Sequence, residues 1–330
     1  MLFLISWLLC FDALASPFGE KTMQAPISPR QVERTFIMPK GWMELQLSVD
    51  SKYSVSQRDA LGQEVALGED QYWSYSRMWL NYSNAFSHRV MMYLNVPFVH
   101  AQFQPSDGAA ISTTALGDVQ SGVYLQPDFG NQLLAFQVDL KSPSGVEWSS
   151  SRRGCPSDIN GFLTGTGLTN LGLLAHGRLI VGNRYAAHVS AGYIFKFPGI
   201  VGYVLEEDGF GNGILNAGNE LRVDGKHMVQ LTDKICLEFL HGFSQREEYF
   251  IGVSGEGVRW SSVDEMILDP GWFLDAGGAI SWEPNPKRQV RFSVSDQVLG
   301  SDTMEFAVLG LEEFSPQPGL RFGLEGAVRW

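Results

Sequence analysis

Gly319-Leu320-Arg321-Phe322-Gly323-Leu324-Glu325-Gly326-Ala327-Val328-Arg329-Trp330 decides the fold. Side chains alternate across a strand with period two. Leu320, Phe322, Leu324, Gly326, Val328 and Trp330 therefore share one face, and Arg321, Gly323, Glu325, Ala327 and Arg329 the other. One face is apolar and the opposite one charged, and the stretch stops on an aromatic residue. In a transmembrane barrel the apolar face meets lipid and the polar face a wet lumen, and its last strand commonly ends on Phe or Trp. Trp330 is accordingly expected to be where barrel-assembly machinery engages the chain.

The same alternation recurs upstream. Met43, Leu45, Leu47 and Val49 oppose Glu44, Gln46, Ser48 and Asp50; Leu134, Phe136, Val138 and Leu140 oppose Gln137, Asp139 and Lys141. Leu171, Leu173, Ala175 and Leu179 oppose Asn170, His176 and Arg178, and Tyr185 to Phe195 oppose Arg184, His188, Ser190 and Lys196. A further strand is read from Leu215 onward, with Leu221 and Val223 opposing Glu220, Arg222 and Asp224. Segments of ~10 residues suit a tilted crossing of a bilayer. Short links at 83–88, 127–131, 181–183 and 283–287 alternate with long ones at 54–70, 101–115, 142–161, 198–213 and 244–270, as barrels with both termini on the short-turn side require. The expected fold is an all-β, antiparallel up-and-down barrel of about 12 strands, or about 14 if 249–258 and 303–311 are also strands. A secreted β-sandwich shows the same alternation with the faces reversed.

Composition agrees. The 330 residues are only 18% charged, with 36 Gly and 12% aromatic residues, which suits interfacial girdles. Mean hydropathy is close to zero, because the two faces average out, and beyond the first residues no apolar run of ~20 residues marks a membrane helix. The net charge of −12 argues against a nucleic-acid partner. Residues 1–15 read as a secretory signal with Ala13-Leu14-Ala15 before Ser16, although no Lys or Arg precedes the apolar stretch. Residues 16–40, with Pro17, Pro26, Pro29 and Pro39, read as an irregular lead-in and the candidate plug of a barrel over 41–330. Outer-membrane lipid and lipopolysaccharide are the expected surroundings.

Part of the chain resembles a known family. Ala115-Leu116-Gly117-Asp118-Val119, Lys141-Ser142-Pro143-Ser144-Gly145, Gly165-Thr166-Gly167 and Gly192-Tyr193 are similar to motifs of the bacterial outer-membrane family labelled for the MetA pathway of phenol degradation. The middle third of the chain carries the likeness, with Ala115 standing where the family has Gly. The resemblance implies an outer-membrane transporter, sometimes linked to aromatic compounds, and assigns no functional residues. Ser295-Asp296-Gln297 is similar to a related barrel family.

Chemistry is expected in the lumen. Glu44, Asp139, Lys141, His176, Arg178, Arg184, His188, Glu220 and Arg222 are the candidate lining residues, which would set selectivity as rings of charge do in pores. A hairpin loop at 181–183 puts His176 directly opposite His188, a pair that could sense pH or hold a metal, or simply line the lumen. No third ligand is evident, and no catalytic, cofactor or metal centre is assigned. The leading reading is a passive channel for small, hydrophobic or aromatic, molecules. A structural or adhesive surface barrel is the alternative, and a hydrolase using His176 and Ser190 a third. Acidic loops at 206–209 and 261–265 could hold Ca²⁺ or be ordinary solvated loops. Cys155 and Cys236 could pair in an oxidising compartment.

Overall fold

The computed structural model describes residues 27–58, 64–68, 71–104, 111–127, 134–145, 168–205, 209–216, 218–247, 249–254, 265–268, 270–301 and 319–330. The expected signal segment, Cys155, 303–311 and most of both acidic loops lie outside them.

The wall is a closed, 12-stranded antiparallel barrel. Its strands are β1 (Met43–Ser54), β2 (Tyr72–Ala85), β3 (Val90–Gln104), β4 (Ile111–Leu116 continued by Val119–Leu125), β5 (Leu134–Ser142), β6 (Asn170–Val181), β7 (Tyr185–Lys196), β8 (Glu220–Thr232), β9 (Ile235–Arg246), β10 (Trp272–Asn285), β11 (Arg288–Ser301) and β12 (Arg321–Arg329). Each pairs with its neighbours in sequence, and β12 closes the ring on β1 with Val49 opposite Leu324. Met43 and Trp330 exchange two backbone hydrogen bonds, of 2.9 and 3.0 Å, at the seam. Closure leaves no unpaired sheet edge, which a wall without water around it demands.

Burial is inverted relative to a soluble protein. Leu179, Phe239 and Trp282 point outward and are 58%, 56% and 50% exposed, whereas Glu238, Glu283 and His176 are buried on the inner face. A soluble fold would hide the first set and show the second. The faces are the ones alternation assigned, and the β-sandwich reading falls on this inversion.

Both halves of β4 pair with β3, either side of Gly117-Asp118. The Gly-Asp motif therefore interrupts a strand rather than opening one. Gly117 N–H still reaches Pro97 O at 2.8 Å, and Asp118 Oδ1 accepts Gly145 N–H at 3.0 Å, so the break caps the β5 end instead of leaving polar groups unpaired.

Two expectations need correction. Tyr249–Ser254 is a strand, but it lies in a separate four-stranded sheet with Gly199–Leu205, Gly209–Asn216 and Glu265–Leu268. The wall therefore has 12 strands, not 14, and two of the long connections pair with each other. Leu215 belongs to that loop sheet; the barrel strand starts at Glu220, after Gly218 takes a left-handed turn at φ 59°, where only glycine avoids a Cβ clash.

Connections 86–89, 126–133, 182–184, 233–234 and 286–287 gather at one end, here the short-turn end. The longer ones and the loop sheet belong to the other. Residues 27–42 enter the lumen at the short-turn end, where a 3-10 turn, Gln31–Glu33, packs on β7 and β8.

Candidate functional site

The lumen divides at the level of residues 27–42. Gln31 anchors this segment: its N–H donates to Gln230 Oε1 at 3.0 Å, its carbonyl accepts from Arg178 Nη2 at 2.7 Å, and its Oε1 accepts from Ser281 Oγ at 3.0 Å. Val32 fills an apolar pocket between Ala186, Met228 and Cys236, and Ile37 packs on Ala85 and Met91 with Phe36, Met38 and Tyr124 around it. The segment thus reaches from the β7–β10 wall across to β3 and β4. Arg34 forms a two-pronged ion pair with Glu283, which also binds Arg329 at 3.2 Å; Arg329 holds Glu44 at 2.5 Å and donates to Gln289 Oε1 at 2.7 Å. Arg291 bridges Glu238 at 3.1 Å and Glu325 at 3.5 Å. Three arginines and four glutamates are linked here, and buried charge is stable only when paired in this way.

A hydrogen-bonded chain forms the floor above Phe36. Asp139 accepts from the Tyr93 hydroxyl, from Gln137 Nε2 at 2.8 Å and from Gln120 Nε2 at 3.3 Å. Tyr93 can lie there because position 122 is glycine: a Cβ would sit 2.4 Å from the Tyr93 hydroxyl oxygen. Gln137 Oε1 meets His176 Nε2 at 2.7 Å, and His176 Nδ1 meets His188 Nε2 at 3.2 Å. An amide oxygen only accepts, so His176 carries its proton on Nε2 and, when neutral, takes a second bond from His188 through Nδ1. Phe36 rests against both rings, at centroid distances of 5.8 and 5.0 Å.

Beyond this floor the lumen opens as a cavity of about 600 Å³. It is lined by Asp139, Lys141, His188, Glu220 and Arg222 among the expected residues. Glu220 is held by Lys196 at 2.9 Å and Arg246 at 3.8 Å, Lys141 lies 3.8 Å from Asp118, and Arg222 pairs with Asp224 at 2.8 Å. Glu44, His176 and Arg178 belong instead to the plugged half. Arg184 lies in the exposed turn 182–184, outside both.

The histidine pair required a register correction. Tyr185 pairs with Val181, so the turn is Gly182-Asn183-Arg184, with Gly182 at φ 60°. His176 therefore faces Ser190 and His188 faces Arg178, two residues from the expected register. The turn starts where glycine supplies the positive φ, one residue later than read. The two rings still meet, diagonally. Ser190, directly opposite His176, receives none of its hydrogen bonds, which go to His188 and Gln137; no Ser–His dyad forms. No group of three or more ligating side chains occurs among the described residues, and Cys236 is a free, buried thiol.

Arg34, Glu238, Glu283, Arg291 and Lys226 were not singled out from sequence, and Glu325 and Arg329, placed on the charged face of the last strand, were not among the candidate lining residues. All but Arg34 sit at inward strand positions, so alternation alone would have flagged them. Arg34 lies in an aperiodic stretch and carries no such signal.

Neither a protein-family model nor a curated protein matches the chain. Solved structures do share the fold. The chain is similar to a COG4313 outer membrane channel from Pseudomonas putida F1 at 13% identity and a TM-score of 0.65, over 89% of this chain and 97% of that one. Weaker likenesses include the NanC porin, at 7% identity and a TM-score of 0.44 over 86% and 98%, and a mutant of the TodX monoaromatic hydrocarbon channel, at 8% and 0.44 over 88% and 90%. At 13% identity the property shared with the COG4313 channel is the fold, a closed barrel of the outer-membrane kind.

Proposed function

We propose that this chain is a passive outer-membrane channel for small molecules, shut at its short-turn end by residues 27–42. One observation carries the reading. A polar cavity of about 600 Å³ ends on the Asp139–His188 floor, and under that floor lies a stopper held chiefly by Gln31, Val32 and the Arg34–Glu283 pair, with backbone bonds to the wall at Gly41 and Trp42. Such a stopper can leave without breaking the wall. The barrel fold shared with a COG4313 channel supports the same reading, as does the resemblance to the phenol-degradation family. In the proposed setting the short turns face the periplasm, lipid and lipopolysaccharide surround the apolar belt, and the strand ending at Trp330 is handed to the assembly machinery.

The second reading, a surface barrel without transport, is favoured by the loop sheet, which could act as a binding platform, and by the paired charges of the plugged half. Ion conductance of the purified barrel in planar bilayers separates the two. Wild type is expected to conduct in brief openings, and Arg34→Ala, which unlatches the stopper, to conduct more often. Silence from both variants, with each still a folded barrel, would leave the surface-barrel reading.

A further inference from the structure

Charge in the open half of the lumen is uneven. Of the described residues lining the cavity, eight are Lys or Arg and five are Asp or Glu. Exposure sharpens the imbalance. Arg222, Arg321 and Lys226 side chains are 49%, 36% and 35% accessible, whereas their partners Asp50 and Glu238 are 16% and 3%. Of the carboxylates paired with these three, only Asp224, at 38%, reaches water to a similar extent. Asp139, which also lines the cavity, is engaged by Tyr93, Gln137 and Gln120. Arg222, Arg321 and Lys226 are thus the lining cations that face the solution most, and Asp224 and Asp275 are the lining carboxylates that face it with them.

Register also sets basic residues side by side. Lys52 stands directly opposite Arg321 on β1 and β12. On the other wall Lys226 stands directly opposite His188 on β8 and β7. Like charges directly opposed across strands destabilise a sheet, and a one-residue change at either position would relieve them. The chain as a whole carries −12, so a basic lumen does not follow from its composition. A narrow, low-dielectric cavity focuses such a potential on whatever enters.

We infer that the open half of the lumen is a filter for small anions, with Arg222, Lys226 and Arg321 as its specificity-determining residues. The cargo class is a small organic or inorganic anion bearing a carboxylate-sized charge; a neutral solute gains nothing from these groups. The inference rests on the channel reading above, and its test keeps the two apart. Wild type and Arg34→Ala are placed in planar bilayers under a KCl gradient, and the reversal potential is read. Chloride is expected to pass at least about threefold more readily than potassium, as rings of basic side chains select in anion pores. The double variant R222E/K226E should reverse the preference and R222Q/K226Q abolish it, each first shown to be folded by its heat-dependent gel migration. A wild-type channel that favours potassium, or a reversal potential unmoved by both substitutions in folded barrels, would overturn the filter and leave the channel standing. No conductance in wild type or Arg34→Ala would overturn the channel reading, and the filter with it.

Discussion

The two halves of the lumen are built from the same twelve strands and differ in how much of their charge meets water. In the short-turn half, Arg34, Glu283, Arg329 and Glu44 are linked into one network, and Arg291 is shared between Glu238 and Glu325. In the open half, Arg222 and Lys226 reach into the cavity and their pairs are partly wet. The difference comes from a stretch that is not strand at all. Residues 27–42 cover Gln230, Ser281 and Glu283 at one end, and each of these buried polar groups is paired with the segment. Where water remains, ion pairs are screened and contribute little, and charge is available for use on a passing solute.

Substitutions can break this contrast or sharpen it. Glu283→Ala should be the most damaging, because it removes the carboxylate that holds Arg34 and one of the two that hold Arg329; removing one partner of a buried pair costs about 3–5 kcal/mol. Denaturant unfolding of the barrel in detergent micelles would show it. Ile280→Arg, on the lipid face of β10, tests the wall that both halves share. A charge facing lipid costs about 2–4 kcal/mol near the midplane, so this variant should fail to resist denaturation in lipid. Gly122→Ala acts at the floor, where the new methyl would push Tyr93 off Asp139; overpacking of this kind costs about 1–3 kcal/mol. Arg222→Ala, in the wet half, should change stability by less than about 1 kcal/mol while shifting ion preference. An equal loss for Arg222→Ala and Glu283→Ala would erase the distinction between the halves.

The smallest effect lies at the rim of the open end. Glu247 accepts from the Tyr193 hydroxyl and from Asn219 Nδ2 at 2.8 Å, and the Tyr193 bond, first among these, holds its carboxyl below the ordinary range. A lowered folded-state value means the contact stabilises above the ordinary carboxylate value and is lost as pH falls through the lowered one. Melting of wild type should therefore drop slightly on acidification to about pH 3. Glu247→Gln should remove that step and leave melting at neutral pH almost unchanged.

Much of the wall was legible from residue order. The inward and outward faces of β1, β5, β6 and β7 follow from period-two alternation, which a lipid surround makes strict. Partners across strands were harder. The His176–His188 contact was read one turn residue early, because a single glycine dihedral at position 182 sets the register of the hairpin. The loop sheet was hidden for another reason: 198–213 was read as a long connection and Leu215 and 249–258 as wall strand, and nothing local says that Gly209–Asn216 and Tyr249–Ser254 pair with each other. The stopper was located only coarsely. Prolines mark residues 27–42 as irregular, but Gln31 and Arg34 meet groups some 150 to 250 positions away, a distance that no local pattern encodes.

Cys236 offers the most direct test of the stopper. Its thiol is buried on the inner wall beneath Val32. With Cys10 and Cys155 replaced by serine, wild-type barrel in lipid vesicles should resist a water-soluble maleimide, and Arg34→Ala should be labelled readily at Cys236. Rapid labelling of wild type, in a barrel whose gel migration still shifts on boiling, would mean that residues 27–42 do not close the lumen.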